Sequence, residues 1–535
     1  MESGELARQA VLSEFGPYEL TAQLLARWSL DDPERLADLA VLAADRHHHL
    51  VAEGLVTHRD KLVPLFRAEL ARRPFRIWED LIERDLLYNG PAMVAAGVIA
   101  DRAIAGPNGL LEESIIRRAN AAAALFVLGH PEDAWPLLVH SPDPSVRSHL
   151  IRRLAAVGAD PTLLAARYRA ERDLSAKRAL LLALGDIPTE KLPAKFRDPL
   201  VRELLDEYAD HPDPGLHSTI GWLLRQQWNE AEAIGRIDAK FWAEAERRAA
   251  DARKRLEKSL PNGPARPAEP DGKKRGWFVN AEGQEFAVVK GPLTTAFGSP
   301  IGEAGRMEKR EPARRRQIEH SFAIATRELT AAEFRRFRPD HPKNPFNDDP
   351  NCPAVMIPWP DAAAYCNYLS EREGIPRDQW CYELDGKGGV TIREDRLTRR
   401  GFRLPTELEW ECAGRAGCVT PRYYGRPGCL LSRYAWVDQN AGRNSHRGGL
   451  LRPNDWGLFD TLGNVWEWCE DAAVLDEPGR VVDNYWDTGD RNQRRVYRGA
   501  SFFDDTPSVR LANRNSYRPG DAYYSIGLRL VRSLP

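Results

Sequence analysis

No stretch of the sequence approaches the roughly 20 apolar residues of a membrane-spanning helix, so no membrane partner is expected. The opening MESGELARQAVLSEFG has neither a basic start nor an apolar run, which argues against a secretory signal and for the cytoplasm. Charge of one sign is also missing. Lys+Arg at 76 against Asp+Glu at 78 leaves a net charge of -2, so the broad basic field of a nucleic-acid-binding protein is absent and nucleic acid is not an expected partner. Cysteine is scarce. The 7 cysteines are odd in number and scattered, which excludes a secreted disulfide framework and predicts mostly reduced, partly buried thiols. There is no glycine-rich nucleotide loop followed by a lysine and no H-R-D sequence, so the chain is not expected to transfer phosphate.

A length of 535 residues exceeds what one hydrophobic core usually serves and predicts two or more domains. Residues 1–257 are rich in Leu, Ala and Arg at helical spacing, as in SHLIRRLAAVG from Ser148 and KRALLLALGD from Lys177, and predict an all-helical domain. Asp143-Pro144, Asp173-Leu174 and Asp213-Pro214 each open an apolar run, with Asp suited to cap free amides and Pro to the first helical position. Their spacing of roughly 30 to 40 residues fits HEAT-like helical pairs, with a generic helical bundle as the alternative. Residues 258–275, KSLPNGPARPAEPDGKKR, are too rich in Pro and Gly for a helix and read as a linker.

From 276 to 535 the texture changes to short β-type runs, short helices and most of the tryptophans, so the fold class is multidomain, α then α+β. Thr330 with Glu333 and Thr406 with Glu409 have the T-x-x-E form of a capping box and predict two short amphipathic helices. Pro360 and Asp361 open a third helix after Trp359.

The segments FAIATRELTAAEF, WPDAAAYCNYL, RLPTELEWECAGRAG, GLFDTLGNVWEW, RVYRGAS and GLRLVR occur in an order that resembles the formylglycine-generating-enzyme (sulfatase-modifying factor) family. The resemblance implies a C-type-lectin-like fold. The stretches GADPTLLAARYRAERDLSAKRALLLALGDI, PDPGLHSTIGWLLRQQW and GWFVNAEGQEFAVVKGP resemble the region before this domain in bacterial fusions with Ser/Thr kinases, which implies a protein partner, a kinase or other signalling protein.

Two carboxylates around the Gly-Asn turn of DTLGNVWE suit a hard cation. The resemblance implies calcium there, with side-chain oxygens from Asp460 and Glu467 and backbone carbonyls from Gly463 and Val465; the alternative is that Glu467 bonds backbone amides between packed Trp466 and Trp468. The family's oxidases hold Cu(I) through two cysteines after R-G-G-S, and soft thiolates are what that ion requires. Here RGAS ends at Ser501, the first cysteine position matches Asp504, the second falls near Val509, and the last cysteine is Cys469. Copper is therefore not expected. An iron-dependent alternative would need His47, His48 and His49, but adjacent helical positions point about 100° apart and cannot share one ion.

What remains is a binding surface. Trp466, Ser501, Phe502, Phe503, Asp504, Asp505, Asn513, Asn515, Tyr517, Tyr523 and Tyr524 combine rigid aromatics with short polar groups, the composition of recognition loops. Alternation with Asp and Ser predicts that Phe502, Phe503, Tyr523 and Tyr524 are exposed. The frame also resembles the ligand-binding tips of retroelement-diversified proteins. The expectation is a ligand- or protein-recognition module, the alternative an enzyme of altered chemistry with Asp504 or Asp505 as acid or base.

Overall fold

The computed structural model describes residues 32–42, 54–72, 106–258, 275–307, 309–473 and 493–534. His47, His48 and His49 and the Pro- and Gly-rich stretch 259–274 lie outside the described residues. The chain divides into two compact units, 1–196 with 425–427, and 197–424 with 428–535.

Among the described residues the first unit is helical. Helices α1 (Pro33–Leu42), α2 (Arg59–Ala71) and α3 (Gly106–Val127) bury Leu36, Ala40, Leu62, Phe66, Ala121 and Leu125 together. Arg117 of α3 ties them by donating to Glu69 at 2.9 Å and to Asp38 at 3.0 Å. Helices α4 (Ser145–Ala156), α5 (Pro161–Ala170) and α6 (Leu174–Gly185) follow. Asp160 and Asp173 cap α5 and α6, accepting from the amides of Thr162 at 2.8 Å and Ala176 at 2.9 Å, which satisfies donors that a helix start leaves free. Asp143 behaves differently: it accepts from the Ser145 amide at 3.1 Å, while Pro144 stands at the cap position.

The second unit begins inside α7 (Ala194–Asp210) and includes α8 (Pro214–Trp222), capped by Asp213, and α9 (Ala231–Lys258). The compact units therefore do not divide at residues 258–275, where the composition changes. Helices up to Lys258 keep company with the C-terminal domain because their polar and aromatic partners are there. Strand β1 (Trp277–Val279) places the Trp277 ring on His217 of α8 at 3.8 Å, and its Nε1 donates to the His211 carbonyl at 2.8 Å. Trp242 of α9 donates to the Ala281 carbonyl at 2.9 Å.

The C-terminal domain contains β2 (Glu285–Val289), β3 (Leu293–Phe297), β4 (Arg314–Ile318), β5 (Ser321–Ala325), α10 (Ala331–Phe337), α11 (Trp359–Arg372), β6 (Tyr382–Leu384), β7 (Val390–Ile392), β8 (Phe402–Arg403), α12 (Glu407–Arg415), β9 (Trp466–Ala472), β10 (Arg495–Arg498), β11 (Arg514–Tyr517), β12 (Ile526–Leu528) and β13 (Val531–Leu534). One sheet runs β1-β2-β5-β13-β8, a second β11-β10-β9-β12, and β3-β4 and β6-β7 are two-stranded. Strand β12 runs parallel to β9, pairing Ile526 with Trp466, whereas β13 lies antiparallel to β5. Both capping boxes form, at Thr330 with Glu333 and Thr406 with Glu409. The core between the sheets and helices is aromatic, with Trp359, Trp410, Trp468, Tyr365 and Phe402 fully buried.

Candidate functional site

Between β10 and β11 the chain makes a tight turn against the loop that precedes β9. Phe502 donates its amide to the Asn464 carbonyl at 2.8 Å, and Gly463 donates to Gly499 at 2.8 Å. Glycine is required at 463, since φ is 75° and a Cβ there would sit 2.2 Å from the Trp436 carbonyl. Ala500 holds a left-handed φ of 68°, a conformation that costs a non-glycine residue about 1 kcal/mol.

Within this turn the Asp504 carboxylate accepts from both the amide and the hydroxyl of Ser501, at 2.8 and 2.7 Å, and the Asp504 amide returns to the Ser501 carbonyl at 3.0 Å. Burial raises the Asp504 pKa, against the opposing hydrogen bonds from Ser501 and the Trp466 side chain. Asp504, Ser501 and Trp466 are thus brought together. Val509, near the second cysteine position, is a fully buried aliphatic core residue. An engaged carboxylate and an aliphatic side chain do not make a Cu(I) site.

The aromatic residues separate into frame and face. Phe502 is 0% exposed and packs with Val355, Ala441 and Val465, so the expectation that it is exposed is corrected: the turn points it inward, where strand alternation does not apply. Tyr523 and Tyr524 are 40% and 38% exposed, and Phe503 is half-buried. The Phe503 ring meets Phe346 at 5.3 Å and Tyr524 at 5.7 Å, and Phe346 meets Tyr524 at 4.7 Å. Tyr517 and Tyr523 join by their hydroxyls at 2.9 Å. Asn515 is half-buried on β11, while Asn513 is buried and donates to the Ser508 carbonyl at 2.7 Å. Asp505 is exposed and caps the short helix at Thr506–Ser508. Phe346 and Met356, whose amide donates to the Tyr523 carbonyl at 2.9 Å, were not singled out from sequence. The only local signal for Phe346 was an apolar residue among Asn, Asp and Pro, whereas Met356 is one of several apolar residues in the run AVMI.

Beneath the face lies a buried group of charges. Glu467 accepts from Arg529 at 2.7 and 2.9 Å and from the Trp410 indole at 2.6 Å. It does not bond backbone amides. Glu328 accepts from the Asn464 side chain at 2.6 Å and the Val465 amide at 3.2 Å, and burial, then Asp460 and Glu467, push its pKa well up. Asp460 accepts from the Gly449 amide at 2.7 Å through Oδ2, but its Oδ1 is buried with no hydrogen-bond partner, and burial lifts the carboxyl pKa to about 6. An orphaned carboxylate oxygen beside a Gly-Asn turn fits a hard cation.

Residues 280–534 match the sulfatase-modifying factor enzyme 1-like domain. This segment is a domain of the sulfatase-modifying factor family. The chain is 29% identical over 210 residues to the formylglycine-generating enzyme of Streptomyces coelicolor, covering 36% of this chain and 56% of that protein. It is 26% identical over 211 residues to the inactive C-alpha-formylglycine-generating enzyme 2 of Mus musculus, covering 37% and 54%. The chain thus spans little more than half the length of either relative. Treponema denticola variable protein 1 superposes with a TM-score of 0.41 at 22% identity, over 47% of this chain and 95% of that one. Among the described residues no helix is long and apolar enough to cross a membrane.

Proposed function

We propose that the sulfatase-modifying factor domain of this chain is a recognition module and not a copper oxidase. The observation that carries the reading is the closure of Asp504 on Ser501, at the position where the family's first copper thiolate is expected. Around it Phe346, Phe503, Tyr523 and Tyr524 offer rigid aromatic area, which anchors interfaces at low entropic cost. That one mammalian relative is itself named inactive supports a member without the family's chemistry. In this reading the helical region is a HEAT-like platform for a protein partner, a kinase or other signalling protein, and the C-terminal domain is a lectin-like frame, both in the cytoplasm. Asp460 Oδ1, the Gly463 and Val465 carbonyls and Glu467 would hold one calcium ion, which would neutralise buried carboxylates and fix the turn.

A second reading rests on one feature, the raised pKa of Asp504 next to Trp466: an enzyme that kept the cleft and uses this carboxyl as acid or base. Asp505 falls out of it, being committed to its cap. Mass spectrometry of a sulfatase-type cysteine peptide after incubation with copper-loaded protein tests the main reading. No aldehyde above a no-enzyme control is expected, and its appearance would sink the proposal.

A further inference from the structure

The stretch Arg306 to Arg316 contains Arg306, Lys309, Arg310, Arg314, Arg315 and Arg316, in a chain whose acids outnumber its Lys and Arg, 78 to 76. The positive charge is local, and the fold keeps it so. Two acids fall within the run: Glu308 lies outside the described residues, and Glu311 is turned inward. Its carboxylate accepts from the Ser299 hydroxyl at 2.7 Å and from Arg510 at 2.7 and 2.9 Å. Glu303 is buried against the same guanidinium at 2.9 Å. Glu303 and Glu311 direct their charge at Arg510 in the interior, away from the surface.

Lys309, Arg310 and Arg315 are exposed. Arg315 projects from β4 between the half-buried Arg314 and Arg316, the alternation that a strand imposes. Among the described residues β4 has a strand neighbour only in β3, so its other edge is not part of a ladder.

We propose that the β3–β4 hairpin is a docking site for an acidic, extended segment of a partner protein. A one-sided strand presents main-chain donors and acceptors to an extended chain, and the clustered cations steer an acidic one toward it. Nucleic acid fits less well. Residues 306–316 contain no aromatic on which bases stack, and the chain as a whole has no basic field to follow a phosphate backbone. The hairpin shares no residue with the aromatic face, so it is a separate site.

The test uses the full-length protein and a fluorescein-labelled peptide of alternating Glu and Thr, read by anisotropy at low salt. Binding is expected, falling as salt is raised, and weakened roughly tenfold or more in the triple variant Lys309→Glu, Arg310→Glu, Arg315→Glu. All three side chains are exposed, and an unchanged thermal melt checks that the variant folds. The milder pair Lys309→Ala, Arg310→Ala should weaken binding less, in the same direction. No binding of the peptide at low salt, equal binding by the triple variant, or tighter binding of a thymidine oligonucleotide would each overturn the assignment. The first two outcomes would leave the arginines as mere guards of an exposed strand edge.

Discussion

His217 Nε2, on helix α8, lies 3.2 Å from Glu285 Oε2 on strand β2, joining the helices before the linker to the sheet after it. Burial raises the Glu285 pKa, but the His217 charge above all, with Arg327 and Arg225, outweighs it and holds the value at about 2. A depressed carboxylate stabilises the fold above its ordinary value near 4.5, and that contribution is lost as pH falls through about 2. Replacing His217 by Leu should cost about 3 kcal/mol at neutral pH and move acid unfolding to higher pH, because it strands a half-buried carboxylate. A fragment starting at Arg197 should fold, while one starting at Gly276 should lose cooperative melting. Equal melts for both fragments would show that the helices are dispensable.

Asp460 makes an opposite prediction about pH. In the absence of calcium its raised pKa means that its contribution is present below about 3.8 and is lost as pH climbs through about 6. Excess chelator should therefore lower the melting temperature most above pH 6, and Asp460→Asn should abolish the chelator effect while stabilising the chelated protein by roughly 2 kcal/mol. Asp460 is the better probe than Glu467, whose loss would strand Arg529 whether or not an ion binds. A melting temperature indifferent to chelator across this range removes the ion.

The frame and face residues should separate in a stability series. Phe502→Ala opens a core cavity and should cost about 3–5 kcal/mol, whereas Tyr523→Ala and Tyr524→Ala should stay within about 0.5 kcal/mol. If the face recognises a partner, the double tyrosine variant should lose most of its affinity in a titration with that partner. Intact affinity would place recognition elsewhere.

Asp504→Asn keeps an acceptor for the Ser501 amide and hydroxyl, so its melting temperature should stay close to that of the parent. Recognition should persist in this variant. An activity that disappears in the Asp504→Asn protein at unchanged stability would favour the acid-base reading instead.

The parts of the fold that could be read from the sequence were those set by local chemistry. The capping boxes at Thr330 and Thr406 close within one helical turn, so four residues specify them. Asp143 shows the limit of the same rule: Pro144 takes the cap position, and Asp143 accepts instead from the amide and hydroxyl of Ser145. The family was legible because several motifs keep their order, but the direction of Phe502 was not. It depends on left-handed backbone at Ala500, which reverses the alternation that a strand would give. Phe346 escaped notice because it reaches the face across a long loop, through contacts with Phe503 and Tyr524 that no local pattern records. The division of the chain inside the helices was hidden for a similar reason: composition marks where backbone is solvated, whereas compactness depends on which surface a helix such as α8 finds.

Strand β13 fills an interior place in one sheet, between β5 and β8, while β12, just before it, completes the other beside β9. During synthesis the ribosome therefore releases β5 and β9 before the strands that cover their edges. Until Ile526 to Leu534 emerge, β5 and β9 expose open edges and the aromatic core lacks a wall, so this domain matures only after translation has passed them. Exposure of those edges at that stage follows from chain order, independent of how stable the finished domain is.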